Sequence, residues 1–136
     1  MRIGVDEAGR GPVIGPLVVC AFASVSTSQL AEFGVKDSKD LSKKKRDELF
    51  DILSEMPHNV IVCSPERIDN SENLNSLETE LFAEALLPMP AGSVMLDACD
   101  VDADRFAKRV STLAERECNA EHKADENHLE VGAASI

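Results

Sequence analysis

Two adjacent acids interrupt an otherwise apolar stretch at Ile3-Gly4-Val5-Asp6-Glu7, and a third, Asp97, ends the apolar run Val94-Met95-Leu96. In a strand, neighbouring side chains point to opposite faces, so one of Asp6 and Glu7 must turn toward the covered side of a sheet. A carboxylate buried there is costly unless it is paired or binds a cation. Two simpler arrangements compete: the strand ends at the pair and both acids meet water, or one acid caps the amides of the following turn. Asp97 has its own simpler explanation, an Asp-rich turn and helix cap, because Asp100, Asp102 and Asp104 follow it. Asp125 closes the weaker segment His122-Lys123-Ala124-Asp125. If the strands carrying these acids lie side by side, the four carboxylates converge at one sheet edge. Such oxygen donors suit hard cations, Mg²⁺ or Mn²⁺. Two such ions about 3.5–4 Å apart can clamp the attacking and leaving oxygens of a phosphodiester displacement.

The segment Gly9-Arg10-Gly11 leaves the first strand just after the acid pair. Glycines there would let the backbone approach a ribose or a phosphate; the alternative is a tight hairpin turn with an arbitrary Arg. The net charge of −11 opposes a nucleic-acid partner, since phosphate backbones attract basic surfaces. Two features soften that objection. Six of the fourteen basic residues fall between Lys36 and Arg46, either a phosphate-facing patch or a solvated helix face. Acids that hold cations are also neutralised by them.

The elements that must position these residues follow from periodicity and punctuation. Residues 2–8 and 13–25 read as two strands joined across Gly9-Arg10-Gly11-Pro12, an antiparallel hairpin. A short helix is expected within residues 26–35. A clearer one runs over 42–56, capped by Ser42, with Leu49, Ile52, Leu53 and Met56 at helical spacing. Strands are expected at 59–63, 93–98 and, more weakly, 118–123. Helices are expected at 74–87 on Leu77, Leu81 and Ala85, and at 102–116 on Phe106, Val110 and Leu113; another begins at Val131. A hairpin followed by alternating helices and strands implies an α/β fold, a mixed sheet flanked by helices, whose strand order the pattern does not reveal.

With 136 residues, 43 % of them hydrophobic, one domain spanning 1–136 is expected. The longest apolar stretch, Val13 to Val25, is broken by Gly15, Pro16 and Ser24 and falls short of the roughly 20 residues a membrane helix needs. Acids at Asp6 and Glu7 stand where a secretory signal would be apolar, so a cytoplasmic location is expected. The four cysteines form no C-x-x-C pair and read as reduced thiols rather than as zinc ligands.

Several blocks, in order along the whole chain, resemble the ribonuclease HII family, particularly its archaeal branch. They are Gly4-Val5-Asp6-Glu7-Ala8-Gly9-Arg10-Gly11-Pro12-Val13-Ile14-Gly15-Pro16, then Val35-Lys36-Asp37-Ser38-Lys39 with Leu41-Ser42, and Asn73-Leu74-Asn75 with Glu78. The rest are Asp97-Ala98-Cys99-Asp100-Val101-Asp102, His122-Lys123-Ala124-Asp125 and Ala133-Ala134-Ser135-Ile136. The resemblance implies a ribonuclease H-like fold and an endonuclease that hydrolyses the RNA strand of RNA–DNA hybrids, or single ribonucleotides embedded in duplex DNA. It implies two divalent cations, Mn²⁺ or Mg²⁺, an activated water as nucleophile, and 3′-hydroxyl and 5′-phosphate ends. Asp6, Glu7, Asp97 and Asp125 correspond to the family's active-site carboxylates, the first three as metal ligands. Gly9, Arg10 and Gly11 resemble the loop that senses the ribose 2′-hydroxyl, and Ser38 and Lys39 resemble phosphate-contacting positions. A role in DNA repair and a monomer free of membrane follow from the same likeness. Departures are also visible. Family members continue past the Ala-Ala-Ser-Ile block into helices that carry a tyrosine, so this chain, with no tyrosine, is expected to lack that C-terminal segment. Asp40, Glu130 and Gly132 differ from the family's usual basic, apolar and Ser residues. Rival readings are an inactive hybrid-binding fragment of the same fold and an acidic domain that binds metal or a partner.

Overall fold

Alternation along the first strand and the hydrogen-bonding needs of its neighbours produce one mixed sheet. The computed structural model describes residues 1–8, 17–24, 30–31, 34–35, 42–70, 73–98, 101–124 and 128–135. Its strands are β1 (Arg2–Ala8), β2 (Leu17–Ser24), β3 (His58–Cys63), β4 (Ser93–Asp97) and β5 (Asn119–Glu121). They form a five-stranded sheet in the order β3-β2-β1-β4-β5. β1 pairs antiparallel with β2, and β2 with β3; β4 joins β1 in parallel and β5 joins β4 in parallel. The hairpin partners and the mixed sheet are as expected, and β1, β4 and β5 lie side by side, the condition on which convergence of the acids depended. The hairpin connection and most of residues 26–35 lie outside the described residues.

The helices start where short polar side chains can satisfy their first amides. Ser42 caps α1 (Lys43–Leu53), its Oγ accepting the Lys45 N–H at 3.1 Å. Asn73 caps α3 (Leu74–Leu86) and Asp102 caps α4 (Ala103–Ala114) in the same way. α1 stops at Leu53 rather than reaching Met56, because Pro57 disfavours helical geometry at the residue before it. A short helix, α2 (Pro65–Asp69), was not expected. Five residues carry no periodicity, although Ser64 at the cap followed by Pro65 is a legible start. The last helix, α5 (Leu129–Ser135), begins two residues ahead of the expected Val131.

Both faces of the sheet are covered. On one, Ile3, Val5, Val19, Ala21 and Leu96 pack with Leu81 and Phe82 of α3 and with Phe106 and Val110 of α4. The Phe82 and Phe106 rings meet edge to face with centroids 5.1 Å apart. On the other face Phe22 packs with Leu49 and Leu53 of α1, Ala133 and Ala134 of α5, and Leu30. The buried stripes of α1 and α4 are narrower than expected. Ile52 is 39 % and Leu113 53 % exposed, since each sits three residues past a core residue and so turns about 60° off its line. No helix among the described residues is long and apolar enough to cross a membrane.

α5 lies almost on the backbone of β1. A Cβ added at Gly4 would come within 2.3 Å of the Glu130 carbonyl carbon and 2.4 Å of the Val131 nitrogen. Backbone cannot yield as a flexible side chain does, so glycine is the residue that permits this approach. Gly4→Ala is therefore expected to destabilise the fold by on the order of 3 kcal/mol in denaturant unfolding. A midpoint unchanged from the parent chain would contradict the close packing of α5.

Candidate active site

The parallel pairing of β1 and β4 runs Arg2–Ser93, Ile3–Val94, Gly4–Met95 and Val5–Leu96. Val5 and Leu96 are both fully buried in the core under α3 and α4. The next residue on each strand is an acid, Asp6 and Asp97, and alternation turns both to the opposite face, beneath α1 and α5. Asp6 is only 6 % exposed and Asp97 is half-buried. Glu7 aligns with the buried Val19 of β2 and so lies on the α3/α4 side, half-buried. The sheet is covered on both sides, so neither acid of the pair simply meets water. Backbone amides orient both carboxylates: Asp6 Oδ1 accepts the Glu7 N–H at 2.9 Å, and Asp97 Oδ1 accepts the Ala124 N–H at 3.2 Å.

One further acid stands at this level. Glu121 of β5 is the register partner of Asp97 and shares its face. The sequence reading missed it because a three-residue strand, Asn119–Glu121, shows no alternation to read. On the other side of Asp6, its partner on β2 is Cys20. Burial, and then the nearby Asp6 charge, push the Cys20 thiol up to about 11. Asp6, Glu7 and Cys20 border a cleft of about 310 Å³ whose walls include Phe50 and Ala133. Cys20, Cys63 and Cys118 are free thiols, as expected; Cys99 lies outside the described residues.

Asp125, Gly9, Arg10, Gly11, Ser38 and Lys39 also lie outside the described residues. Of the basic cluster, Lys43, Lys44, Lys45 and Arg46 form the first turn of α1, where no acid offsets them. Cations at a helix N-terminus oppose the macrodipole. This local cost is compatible with a surface shaped for phosphates. Among the described residues, no three His, Cys, Asp or Glu side chains gather closely enough to hold a metal ion. The pair Asp6 and Asp97 nevertheless suits a hard cation. Mg²⁺ is commonly held by one or two carboxylates, with waters and substrate phosphates completing its shell.

A family model described as "Ribonuclease HII" matches residues 3–136. The chain is 45 % identical over 150 residues to a ribonuclease HII of Pyrococcus furiosus, covering all of this chain and 65 % of that protein. It is 42 % identical to one from Thermococcus onnurineus, covering 63 % of it. The chain thus spans a little under two thirds of these relatives' length. Among solved structures, it resembles that of a PCNA:RNase HII complex from Archaeoglobus fulgidus, with a TM-score of 0.92, 37 % identity, and 99 % of this chain and 68 % of that one covered. It also resembles Bst-RNase HIII solved in complex with Mn²⁺, with a TM-score of 0.80, 26 % identity, and 98 % and 49 % covered. The fold is therefore ribonuclease H-like, as the sequence implied.

The raised Cys20 ionisation gives a direct check on the buried environment beside Asp6. At pH 8 Cys20 is expected to alkylate with iodoacetamide at least tenfold more slowly than an unhindered thiol, followed peptide by peptide with mass spectrometry. The folded state holds the Cys20 proton more tightly than the unfolded chain, so this group stabilises the fold below about pH 9 and loses that contribution as pH rises toward about 11. Alkylation as fast as a free thiol would contradict the burial of this strand position.

Proposed function

The chain belongs to the ribonuclease HII family, and on that premise we propose that it forms the catalytic part of an endonuclease that hydrolyses RNA paired with DNA. The substrates would be RNA–DNA hybrids and single ribonucleotides embedded in duplex DNA, cut to 3′-hydroxyl and 5′-phosphate ends. The observation that best supports this reading is the adjacency of Asp6 and Asp97, set one residue beyond the Val5–Leu96 pair and turned to one face. In this reading Asp6 and Asp97 from one face, with Glu7 bordering the same cleft as Asp6 near the end of β1, hold two divalent cations, Mn²⁺ or Mg²⁺, and Asp125 completes the site. When bound, such cations stabilise charge on phosphoryl oxygens and make water a better nucleophile at neutral pH. The chain's own contribution is placement. Strand ends fix Asp6 and Asp97, the Glu7 and Ala124 amides orient them, and no side chain serves as nucleophile.

Substrate grip in this reading comes from elsewhere. Gly9, Arg10 and Gly11 contact the 2′-hydroxyl, the group that separates RNA from DNA. Ser38 and Lys39 contact phosphates, and the exposed cations of α1 extend that contact. The single domain over residues 1–136, the cytoplasmic location, the role in DNA repair and the monomeric state belong to the same proposal.

The test is cleavage of a DNA duplex carrying one ribonucleotide, with Mn²⁺ or Mg²⁺ and with chelator. Metal-dependent cutting on the 5′ side of a phosphate is the expected result. Binding of the hybrid without cutting would favour the inactive fragment instead. Asp6→Asn and Asp97→Asn are each expected to lower the rate by on the order of 10³-fold while circular dichroism and melting stay near those of the parent. Cutting retained within tenfold would contradict their assignment. Arg10→Ala is expected to lower the preference for a ribonucleotide over deoxyribonucleotide more than it lowers Mn²⁺ affinity. Equal losses on the two measures would count against a sensing role.

A further inference from the structure

A histidine outside the carboxylate set ties β5 and α5 to the backbone that hydrogen-bonds Asp97. The His128 Nε2–H donates to Glu121 Oε2 on β5, the strand position in register with Asp97. On its other side Nδ1 lies 3.9 Å from Glu130 Oε1. Glu130 is only 5 % exposed, in the first turn of α5 against Gly4, and its Oε2 has no hydrogen-bond partner among the described residues. A carboxylate so enclosed is costly unless a group of opposite character stands beside it, and His128 is the ring placed to do so. The backbone of His128 is tied as well. Its N–H donates to the Ala124 carbonyl at 2.8 Å, and the Ala124 N–H in turn donates to Asp97 Oδ1 at 3.2 Å.

Contacts therefore run without a break from Asp97 through Ala124 to His128, and from His128 to both β5 and α5. We propose that His128 is a positioning residue: by bridging Glu121 and Glu130 it holds Ala124, whose amide orients the Asp97 carboxylate. The catalytic meaning of this rests on the function proposed above. Placement errors of about 1 Å can cost on the order of 10²-fold in rate, so a strut of this kind bears on turnover. Charge-assisted hydrogen bonds to carboxylates are the stronger kind, which suits the His128 ring to the task.

The experiment compares the full chain with His128→Phe, which keeps the ring volume without its donors, and His128→Gln, which restores a donor toward Glu121. Amide hydrogen exchange, read without substrate, is expected to rise at least tenfold at Ala124 and His128 in His128→Phe, with β4 amides unchanged, and to recover most of the way in His128→Gln. If His128→Phe does not fold, Glu121→Leu removes the same bridge and is expected to raise exchange at the same amides. Exchange unchanged in the folded variants overturns the strut whether or not the protein cuts hybrids. On a ribonucleotide-containing duplex, His128→Phe is expected to lower kcat at least tenfold with KM within about twofold, and His128→Gln to regain most of the loss. Normal turnover despite faster exchange would overturn the positioning role. A parent chain that fails to cut, with exchange behaving as expected, would instead reject the proposed function and leave the strut standing.

Discussion

The parallel pairing of β1 with β4 is the constraint on which the site depends. It aligns two apolar runs, Ile3–Val5 and Val94–Leu96, whose burial drives the pairing, and the next residue on each run is an acid. Hydrophobic register thus dictates where Asp6 and Asp97 sit. Like charges on neighbouring strand ends repel. A divalent cation between them reverses the sign of that interaction. An arrangement that resists folding without a ligand and favours it with one is what a hard-cation site requires of its protein.

Everything else supports that alignment. Gly4 lets α5 press on β1, which buries Asp6 from above, while α3 and α4 close the face where Val5 and Leu96 pack. Glu121 extends the row of acids by one strand, and His128 carries it onto α5. In the proposed function, contact with nucleic acid is carried by bound cations and by the local basic turn at Lys43–Arg46 rather than by the overall field, which accommodates the net charge of −11.

Much of this was legible in the sequence because local chemistry and global fold agree. Ser42, Asn73 and Asp102 were readable caps, or lay at readable helix starts, since each offers an oxygen to amides that would otherwise lack a partner. Asp6 and Asp97 stood out because acids at the ends of apolar runs contradict hydrophobic pattern. Strand order was not legible, since alternation says which face a residue occupies and nothing of which strand lies beside it. The width of a buried stripe was misread at Ile52 and Leu113, because periodicity cannot show how far a neighbouring element extends. Glu121 and His128 were missed for a related reason. Their significance comes from a cross-strand register and a turn, and neither leaves a pattern in one dimension. Asp125, Gly9, Arg10, Gly11, Ser38 and Lys39 were singled out from the family resemblance and lie outside the described residues.

The shared-cation geometry can be examined in one measurement: a crystal of the chain soaked in Mn²⁺, with anomalous scattering recorded at the manganese edge. The expected result is a peak bound by oxygens of both Asp6 and Asp97 at roughly 2.0–2.3 Å, the range of hard-cation coordination. Manganese found only elsewhere on the surface, with no ion bridging these two strand ends, would contradict it.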